Sequence, residues 1–178
     1  MILGDRMRSA EREDIGRFTA WLNDPEVTEG MLIYGPFSLA EEEDWFEGML
    51  ARPKDEHPFV MEIRQEGNWT PIGNCGFHNI DWRCRSAEVG IFIGEKQLWN
   101  QGYGTEAMRM MVRYGFETLN LNRIMLEVYE TNQRGQKAYE KAGFKLEGRK
   151  RQGMYKHARY IDILMMSVLR EEWQGSDA

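Results

Sequence analysis

The sequence predicts an α/β fold in which helices cover a mixed β-sheet. Alternating apolar residues mark strands in the middle of the chain, and the clearest case places Ala87, Val89, Ile91 and Ile93 on one face. Helical periodicity then separates the later strands, as expected where a helix connects two parallel strands. Together these two patterns favour a mixed sheet over an all-β or all-α arrangement.

Size and composition limit the class of protein. The chain has 178 residues, 42% of them hydrophobic and 29% charged, so we expect one globular domain over residues 1–178. A net charge of −6 argues against nucleic acid as a partner. No apolar run reaches the roughly 20 residues that span a bilayer, and the first residues turn polar too soon for a signal peptide. We therefore expect no membrane association and a cytoplasmic location.

The two cysteines do not indicate a metal site or a disulfide framework. Cys75 and Cys84 are too few for a stapled fold and are expected to be reduced thiols. Cys75 and His78 are three residues apart on a predicted strand, so their side chains point to opposite faces. We expect no bound metal.

Two helices are predicted in the N-terminal quarter, after a short first strand. Residues 14–23 carry apolar side chains at helical spacing, and Pro25 ends that helix because proline restricts its predecessor and lacks an N–H. Ser38 and Glu41 form a capping box that opens a second helix, which extends to about residue 51.

The remainder of the chain predicts the order βββ-α-β-α-ββ. The first three strands are expected to form an antiparallel meander, and the last strand is apolar enough for the centre of the sheet. The predicted strands are 59–63, 72–80, 86–93, 122–129, 144–146 and 160–169, and the predicted helices are 105–117 and 131 or 132 to 143.

A turn with two glycines precedes the helix at 105–117. Gly102 and Gly104 bare the backbone where that helix begins, which makes a seat for a phosphate or diphosphate. With Ala107 the turn also fits the dinucleotide pattern G-x-G-x-x-G/A, and Glu127 lies at a tolerable distance for a ribose contact. However, about eight residues separate Ile93 from Gly102, whereas the dinucleotide turn follows its strand almost at once. We therefore favour another phosphate-bearing cofactor.

Two segments resemble a known family. Residues Ile91 to Ala107 resemble the acetyl-CoA diphosphate segment of the GCN5-related N-acetyltransferases, and residues Tyr129 to Phe144 resemble their second cofactor segment. The subgroup that the chain most resembles acetylates ribosomal-protein N-termini or spermidine. The likeness spans roughly residues 58–170, and each motif falls on the expected element.

The resemblance implies the architecture in more detail. It implies a GNAT-type mixed, mostly antiparallel and strongly twisted sheet of about seven strands, flanked by about four helices and splayed in the middle for acetyl-CoA. The acetyl-CoA core would cover about residues 58–150. The acceptor would approach over residues 14–51 and over 151–160, where we expect a loop around Arg151 to His157.

The resemblance also implies which residues bind the donor. The pantetheine arm would bond to the end of the strand at 86–93, main-chain amides of the glycine turn would hold the diphosphate, and Tyr139 would lie near the thioester sulfur. The expected donor-binding residues are Ile91, Phe92, Ile93, Gln101, Gly102, Tyr103, Gly104, Thr105, Asn132 and Tyr139. The family often carries glutamine or arginine where this chain has Trp99, so one side-chain phosphate contact is missing from the expected set.

The chemistry requires a proton donor and a proton acceptor. Tyr139 is the candidate general acid for the departing thiolate, because a phenol with a pKa of about 10 is well matched to that role. Glu88 either takes the amine proton or holds the sheet together by hydrogen bonding. If the amine instead loses its proton to a chain of water molecules, no side chain has to act as the base. The candidate walls of the acceptor site are Trp21, Tyr34, Trp45 and Tyr155.

The sequence thus predicts an N-acetyltransferase that moves the acetyl group of acetyl-CoA directly to a primary amine. The acceptor is a protein N-terminus, a polyamine or another small amine. The alternative is a non-catalytic acyl-CoA-binding or sensor module on the same fold. The apolar last strand is compatible with a homodimer.

Overall fold

The computed structural model describes residues 6–173 and 175 of the chain. The strands are β1 (Arg6–Ser9), β2 (Phe59–Gln65), β3 (Asn68–Asp81), β4 (Ser86–Ile93), β5 (Arg123–Tyr129), β6 (Lys145–Lys156) and β7 (Arg159–Leu169). The α-helices are α1 (Ile15–Leu22), α2 (Pro25–Thr28), α3 (Leu39–Leu50), α4 (Tyr103–Arg113) and α5 (Gln133–Lys141). Short 3₁₀ turns cover Arg12–Asp14, Lys54–Glu56, Lys96–Leu98 and Arg170–Glu172, and a π-helical turn covers Tyr114–Thr118.

The seven strands form one sheet in the order β1-β2-β3-β4-β5-β7-β6. β4 and β5 pair in parallel, and every other neighbouring pair is antiparallel. The predicted fold class, including the β2-β3-β4 meander and the inner position of the last strand, is confirmed. α4 makes the crossover between the two parallel strands, as the β-α-β order requires.

The parallel pair is joined over only part of its length. The paired residues are Ser86 with Arg123, Ala87 with Ile124 and Glu88 with Met125, and the two strands separate beyond that point. The later half of β4 keeps its partner β3, and the later half of β5 keeps its partner β7. A gap therefore opens in the middle of the sheet, with one edge of β4 facing into it.

Apolar clusters cover both faces of the sheet. The larger cluster joins Ala87 and Val89 of β4 to the buried side of α4, which includes Met108 and Met111. The second cluster joins Phe92, on the opposite face of β4, to α1, α2 and α3. The alternation predicted for β4 is therefore what separates the two layers of helices.

Several local signals act as the sequence predicts. The Ser38 side chain accepts a hydrogen bond from the amide of Glu41, whose carboxylate accepts one from the amide of Ser38. The Asn132 side chain caps α5 by accepting from the amide of Gly135 at 2.9 Å. Gly143 follows α5 with a φ of 98°, a conformation that favours glycine.

The helix prediction misses α2 because Pro25 was interpreted only as a terminator. Pro25 instead occupies the first position of α2, where its missing N–H has no cost, and the Asp24 side chain caps the helix by accepting from the amide of Glu26. The same residue that ends α1 therefore starts the next helix. The structure has five α-helices within its described residues rather than about four.

Two predicted elements have different bounds in the structure. β3 begins at Asn68 rather than residue 72, because Glu66 and Gly67 both take positive φ and make a tight two-residue turn. The helix predicted at 105–117 begins at Tyr103 and ends at Arg113. The π-helical turn that follows presses Gly115 into the core, where a Cβ atom would lie 2.7 Å from the Ile124 side chain.

The strand predicted at 144–146 was also too short. β6 extends to Lys156, so most of the loop expected from Arg151 to His157 is strand. β6 lies at the edge of the sheet with mostly exposed side chains, and its register shifts near Gly148 and again before Met154. A strand is recognised in a sequence by the alternation of apolar and polar residues. An exposed edge strand with bulges lacks this alternation.

A buried ion-pair network ties β1 to β2 and to the start of α1. Arg8 donates two hydrogen bonds of 2.7 Å to the Asp14 carboxylate and one of 2.9 Å to Glu62. Arg6 donates to the other oxygen of Glu62 at 2.6 Å. Burial alone would raise the pKa of Asp14, but the hydrogen bonds from Arg8 and from the amide of Glu11 hold it below its usual value. β1 is only four residues long, so these bonds anchor it.

In the described residues, no helix is long and apolar enough to cross a membrane.

We expect Asp14→Asn to lower the free energy of unfolding by about 3 kcal/mol at pH 7, because it removes the buried carboxylate that accepts two hydrogen bonds from the half-buried Arg8 guanidinium. Urea unfolding measures this change. Lys145→Ala, which removes an exposed ion pair with Glu172, is the control and should change the free energy of unfolding much less. Because the pKa of Asp14 is lowered on folding, its contribution is present above its usual pKa of 3.8 and is lost as pH falls through the folded-state value. The difference between the wild type and Asp14→Asn should therefore shrink in strong acid, and a constant difference would contradict this account.

Candidate active site

The glycine turn places a helix terminus at the mouth of the gap in the sheet. Gly102 is the N-cap of α4 and has a φ of 95°, a conformation that residues with a Cβ atom rarely adopt. The amides of the first turn of an α-helix have no acceptor within the helix and carry the positive end of its dipole. In α4 these belong to Tyr103, Gly104 and Thr105, and they form a seat for an anion.

A cavity of about 360 Å³, called here the first cavity, lies over this turn between the end of β4 and α5. Its lining brings together all the expected donor-binding residues except Gln101, whose side chain donates to the carbonyl of Gln97 at 2.7 Å instead. The residues so assembled are Ile91, Phe92, Ile93, Gly102, Tyr103, Gly104, Thr105, Asn132 and Tyr139.

α5 adds a cationic side to the first cavity that sequence reasoning missed. Arg134, Lys137 and Lys141 all line it. Their spacing of three and four residues places them on one face of the helix. This spacing is the signal that could have predicted a basic stripe facing the glycine turn. Three cations and a helix N-terminus make the first cavity electropositive in a chain whose net charge is −6.

Arg134 is held in place by Trp99. The guanidinium carbon lies 3.6 Å from the centre of the indole ring, a cation–π stack. The indole N–H in turn donates to the carbonyl of Ile93 at 2.9 Å, so one side chain links the end of β4 to the cation. Partial burial lowers the pKa of Arg134, and no carboxylate within residues 6–173 forms an ion pair with it. The guanidinium is therefore free to contact an anion in the first cavity.

Asn132 connects α5 to the segment that follows α2. Besides capping α5, its side chain donates to the carbonyl of Gly30 at 3.3 Å. A Cβ atom at Gly30 would lie 2.5 Å from the Asn132 amide, so glycine is needed for this approach. Gly30 and Met31 line the first cavity and close it over the gap.

A second cavity, of about 580 Å³, lies on the other side of the gap. Its floor is the polar face of the β3–β4 pair, where Gly76 lies opposite Gly90 and His78 lies opposite Glu88. Gly90 leaves bare backbone between the His78–Glu88 pair and Phe92, whereas Gly76 makes room for Pro58, whose Cα would lie 3.0 Å from a Cβ atom there. The result is a trough that leads toward the point where β4 and β5 separate.

Tyr139 lines both cavities. Its side chain projects from α5, packs against Phe144 with ring centres 6.3 Å apart, and is half-buried. Burial raises its pKa to about 12, so the hydroxyl keeps its proton at neutral pH. Ile91 and Phe92 also belong to both linings, which makes this the place where the two cavities meet.

Glu88 forms a pair with His78 in the second cavity. Nε2 of His78 lies 3.2 Å from Oε2 of Glu88, and both side chains remain partly exposed to the cavity. Cys75, three residues before His78, is buried in the larger apolar cluster on the other face of the sheet. Sequence reasoning selected Glu88 but missed His78, although the register of the predicted meander would have placed them together.

Of the four expected acceptor-wall residues, Trp45 lines the second cavity. Trp21 is buried beneath Gly94 and donates from its indole to Glu95 at 3.2 Å. Tyr34 places its hydroxyl beside Met154, and Tyr155 packs against Tyr160, so both lie by the β6–β7 hairpin outside the two cavities. Contact of these three residues with an acceptor stays a prediction.

Comparison with known proteins agrees with this geometry. Residues 6–145 match the family model described as an acetyltransferase (GNAT) domain. The chain belongs to the GNAT family. An uncharacterized N-acetyltransferase, p20, of Bacillus licheniformis is 31% identical over 95% of this GNAT chain and 94% of its own length. The putative ribosomal N-acetyltransferase YdaF of Bacillus subtilis is 35% identical over 58% of this chain and 56% of its own.

A solved structure gives the same result for the whole GNAT fold. Spermidine N-acetyltransferase from Vibrio cholerae, crystallised with CoA and spermine, superposes with a TM-score of 0.86 at 26% identity. The match covers 95% of this chain and 97% of the other. The prediction of an acyltransferase with acetyl-CoA as its acetyl donor is thereby confirmed for this GNAT protein, as is acetyl transfer to an amine.

We expect Arg134→Ala to raise the dissociation constant for CoA about tenfold, because a charge-assisted hydrogen bond to a phosphate is lost. Isothermal titration calorimetry measures this constant. Arg64→Ala, which removes an exposed arginine from β2, is the matched control. S-acetylpantetheine, which lacks the diphosphate, should bind both variants as it binds the wild type. An equal loss for CoA and S-acetylpantetheine would mean that Arg134 acts on the fold rather than on a phosphate.

Proposed function

We propose that this GNAT protein acetylates a primary amine that enters through the second cavity while acetyl-CoA occupies the first. The observation that carries the proposal is the position of Tyr139, which lines both cavities where β4 and β5 separate. A donor and an acceptor in these cavities would meet at one tyrosine, so the acetyl group can pass directly between them.

The first cavity fits the chemistry of CoA along its length. The diphosphate suits the amides of Tyr103, Gly104 and Thr105 together with the Arg134 guanidinium. The pantetheine arm carries amides, and the edge of β4 that faces the gap can pair with them as it would with a strand. These contacts would deliver the thioester to the meeting point of the cavities.

Tyr139 is the general acid in this proposal. Its raised pKa keeps the hydroxyl protonated, and the departing CoA thiolate needs a proton. The oxygen of the thioester carbonyl gains negative charge as the amine attacks, and in this proposal a backbone N–H near Phe92 or Ile93 donates a hydrogen bond to it.

The second cavity suits a cationic acceptor. Glu56, Glu88 and Glu127 line it, and Arg52 is the one basic residue in that lining with a permanent charge. Glu127 also holds Lys150 in an ion pair. The indole of Trp45 adds an aromatic wall that can contact an ammonium group. These features support an amine that arrives protonated.

A small amine is the first acceptor to test. Two relatives with 25% identity are named spermidine N(1)-acetyltransferase, both from Escherichia coli, and the Vibrio cholerae structure holds spermine. YdaF is named as a ribosomal N-acetyltransferase, so a peptide N-terminus belongs in the same panel. A cytoplasmic location and a homodimer stay predictions.

Turnover is measured as CoA release, followed with a thiol reagent over a panel of diamines, polyamines, amino sugars and short peptides. We expect turnover with at least one amine, and Tyr139→Phe should lower kcat on the order of 100-fold because the thiolate loses its acid. The control is Tyr114→Phe, which removes a hydroxyl from a tyrosine that lines neither cavity. Tight acetyl-CoA binding with no turnover across the panel would favour a sensor module instead.

A further inference from the structure

We infer that His78 is the catalytic base of this enzyme and that Glu88 acts through it as a positioning residue. The inference rests on the proposed function, since it assigns the group that takes the proton of the acceptor amine. It starts from the pair of Nε2 of His78 and Oε2 of Glu88, 3.2 Å apart on the floor of the second cavity.

The position of the histidine ring is set by the strand register. His78 lies directly opposite Glu88, and the next residue along β4 on the same face is Gly90. A Cβ atom at Gly90 would lie 3.6 Å from Cε1 and 4.0 Å from Nδ1 of His78. The ring therefore leans over Gly90, toward the meeting point of the two cavities. Nδ1 faces the trough while Nε2 is held by the carboxylate.

This arrangement leaves one ring nitrogen of His78 available to accept a proton. A carboxylate beside Nε2 favours the tautomer that carries its hydrogen there, which leaves the lone pair of Nδ1 free. The same division of roles between a carboxylate and a histidine orients the base in serine hydrolases. Glu88 by itself is a weaker choice, because its carboxylate is already engaged with Nε2 of His78.

The proton balance closes with one base and one acid. The ammonium group gives one proton to Nδ1 of His78, and the neutral amine then forms the C–N bond at the thioester carbonyl carbon. The C–S bond breaks, the thiolate takes the hydroxyl proton of Tyr139, and the second proton lost by the nitrogen returns through solvent to the tyrosine. His78 releases its proton to solvent. One amide, one CoA thiol and one net proton result.

Other ionisable groups face the same cavity and need to be separated from His78. They are Arg52 and Glu56 from the turn after α3, Glu88 from β4, Glu127 from β5 and Tyr139 from α5. Glu127 is neutralised by Lys150, and Tyr139 stays protonated until well above pH 7. His78 is the one histidine in that lining.

The test compares His78→Gln and Glu88→Gln in the full chain. We expect His78→Gln to lower kcat/KM for the amine on the order of 100-fold at pH 7. The loss should shrink as pH rises, because the fraction of neutral amine grows and the base is needed less. Glu88→Gln should cost less, and the double variant should be no slower than His78→Gln alone. Acetyl-CoA affinity should not change, since His78 lies outside the first cavity.

A second readout does not depend on turnover. In ¹⁵N NMR of the protein without donor, the His78 imidazole should carry its hydrogen on Nε2, and Glu88→Gln should weaken that preference. His57→Gln is the matched control, because His57 bonds only to the backbone carbonyl of Arg52 and lines neither cavity. It should leave both kcat/KM and its pH profile unchanged.

Different outcomes overturn different claims. A His78→Gln enzyme within twofold of wild type at every pH, or with a loss that does not depend on pH, overturns the role of His78 while the proposed function stands. Near-normal His78→Gln with inactive Glu88→Gln would assign the base to Glu88 itself. No turnover by the wild type with any amine overturns the proposed function together with this inference.

Discussion

The short parallel pairing of β4 with β5 is the constraint on which the site depends. Both strands remain hydrogen-bonded on their outer sides, to β3 and β7, so the sheet tolerates a gap between them after Glu88 and Met125. A fully paired sheet would leave no free strand edge for the pantetheine arm and no passage between the two cavities. The two cavities meet at this gap, Tyr139 lines both of them there, and the glycine turn at Gly102 lies beside it.

Small residues then shape the two sides of the gap for different chemistry. Gly102 adopts a left-handed backbone where the free amides of α4 begin, whereas Gly90 removes a side chain from the floor of the second cavity and Gly76 makes room there for Pro58. The anion side gains cations from α5, and the amine side gains carboxylates from β4 and β5. Under the proposed function, the first cavity presents cations to the polyanionic donor, and the second presents Glu56 and Glu88 to the cationic acceptor, while Glu127 is paired with Lys150.

The sequence was enough for the fold and for most of the residues that line the first cavity, because both are encoded by local signals. The alternation in β4, the cap at Asn132 and the turn at Gly102 each act within a few residues of chain. The acceptor side depends on register and on packing between distant segments. His78 meets Glu88 across a hairpin, Gly30 meets Asn132 across about a hundred residues, and the aromatic character of Tyr34 or Tyr155 says nothing about which cavity it faces. β6 was underestimated for a related reason, since bulged edge strands lose their periodicity.

The two proton transfers make opposite demands, and the structure separates them in space. The phenol of Tyr139 is buried enough to raise its pKa to about 12, which suits donation to a thiolate and makes it useless as an acceptor from an ammonium group at neutral pH. A different group must then take the amine proton, and it has to lie on the acceptor side with access to solvent, so that the proton can leave. The partly exposed imidazole of His78 meets both conditions, while the Glu88 carboxylate beside it orients the ring. Both assignments therefore depend on the gap in the sheet, because Tyr139 lies where the two cavities meet and His78 lies on the floor of the second cavity.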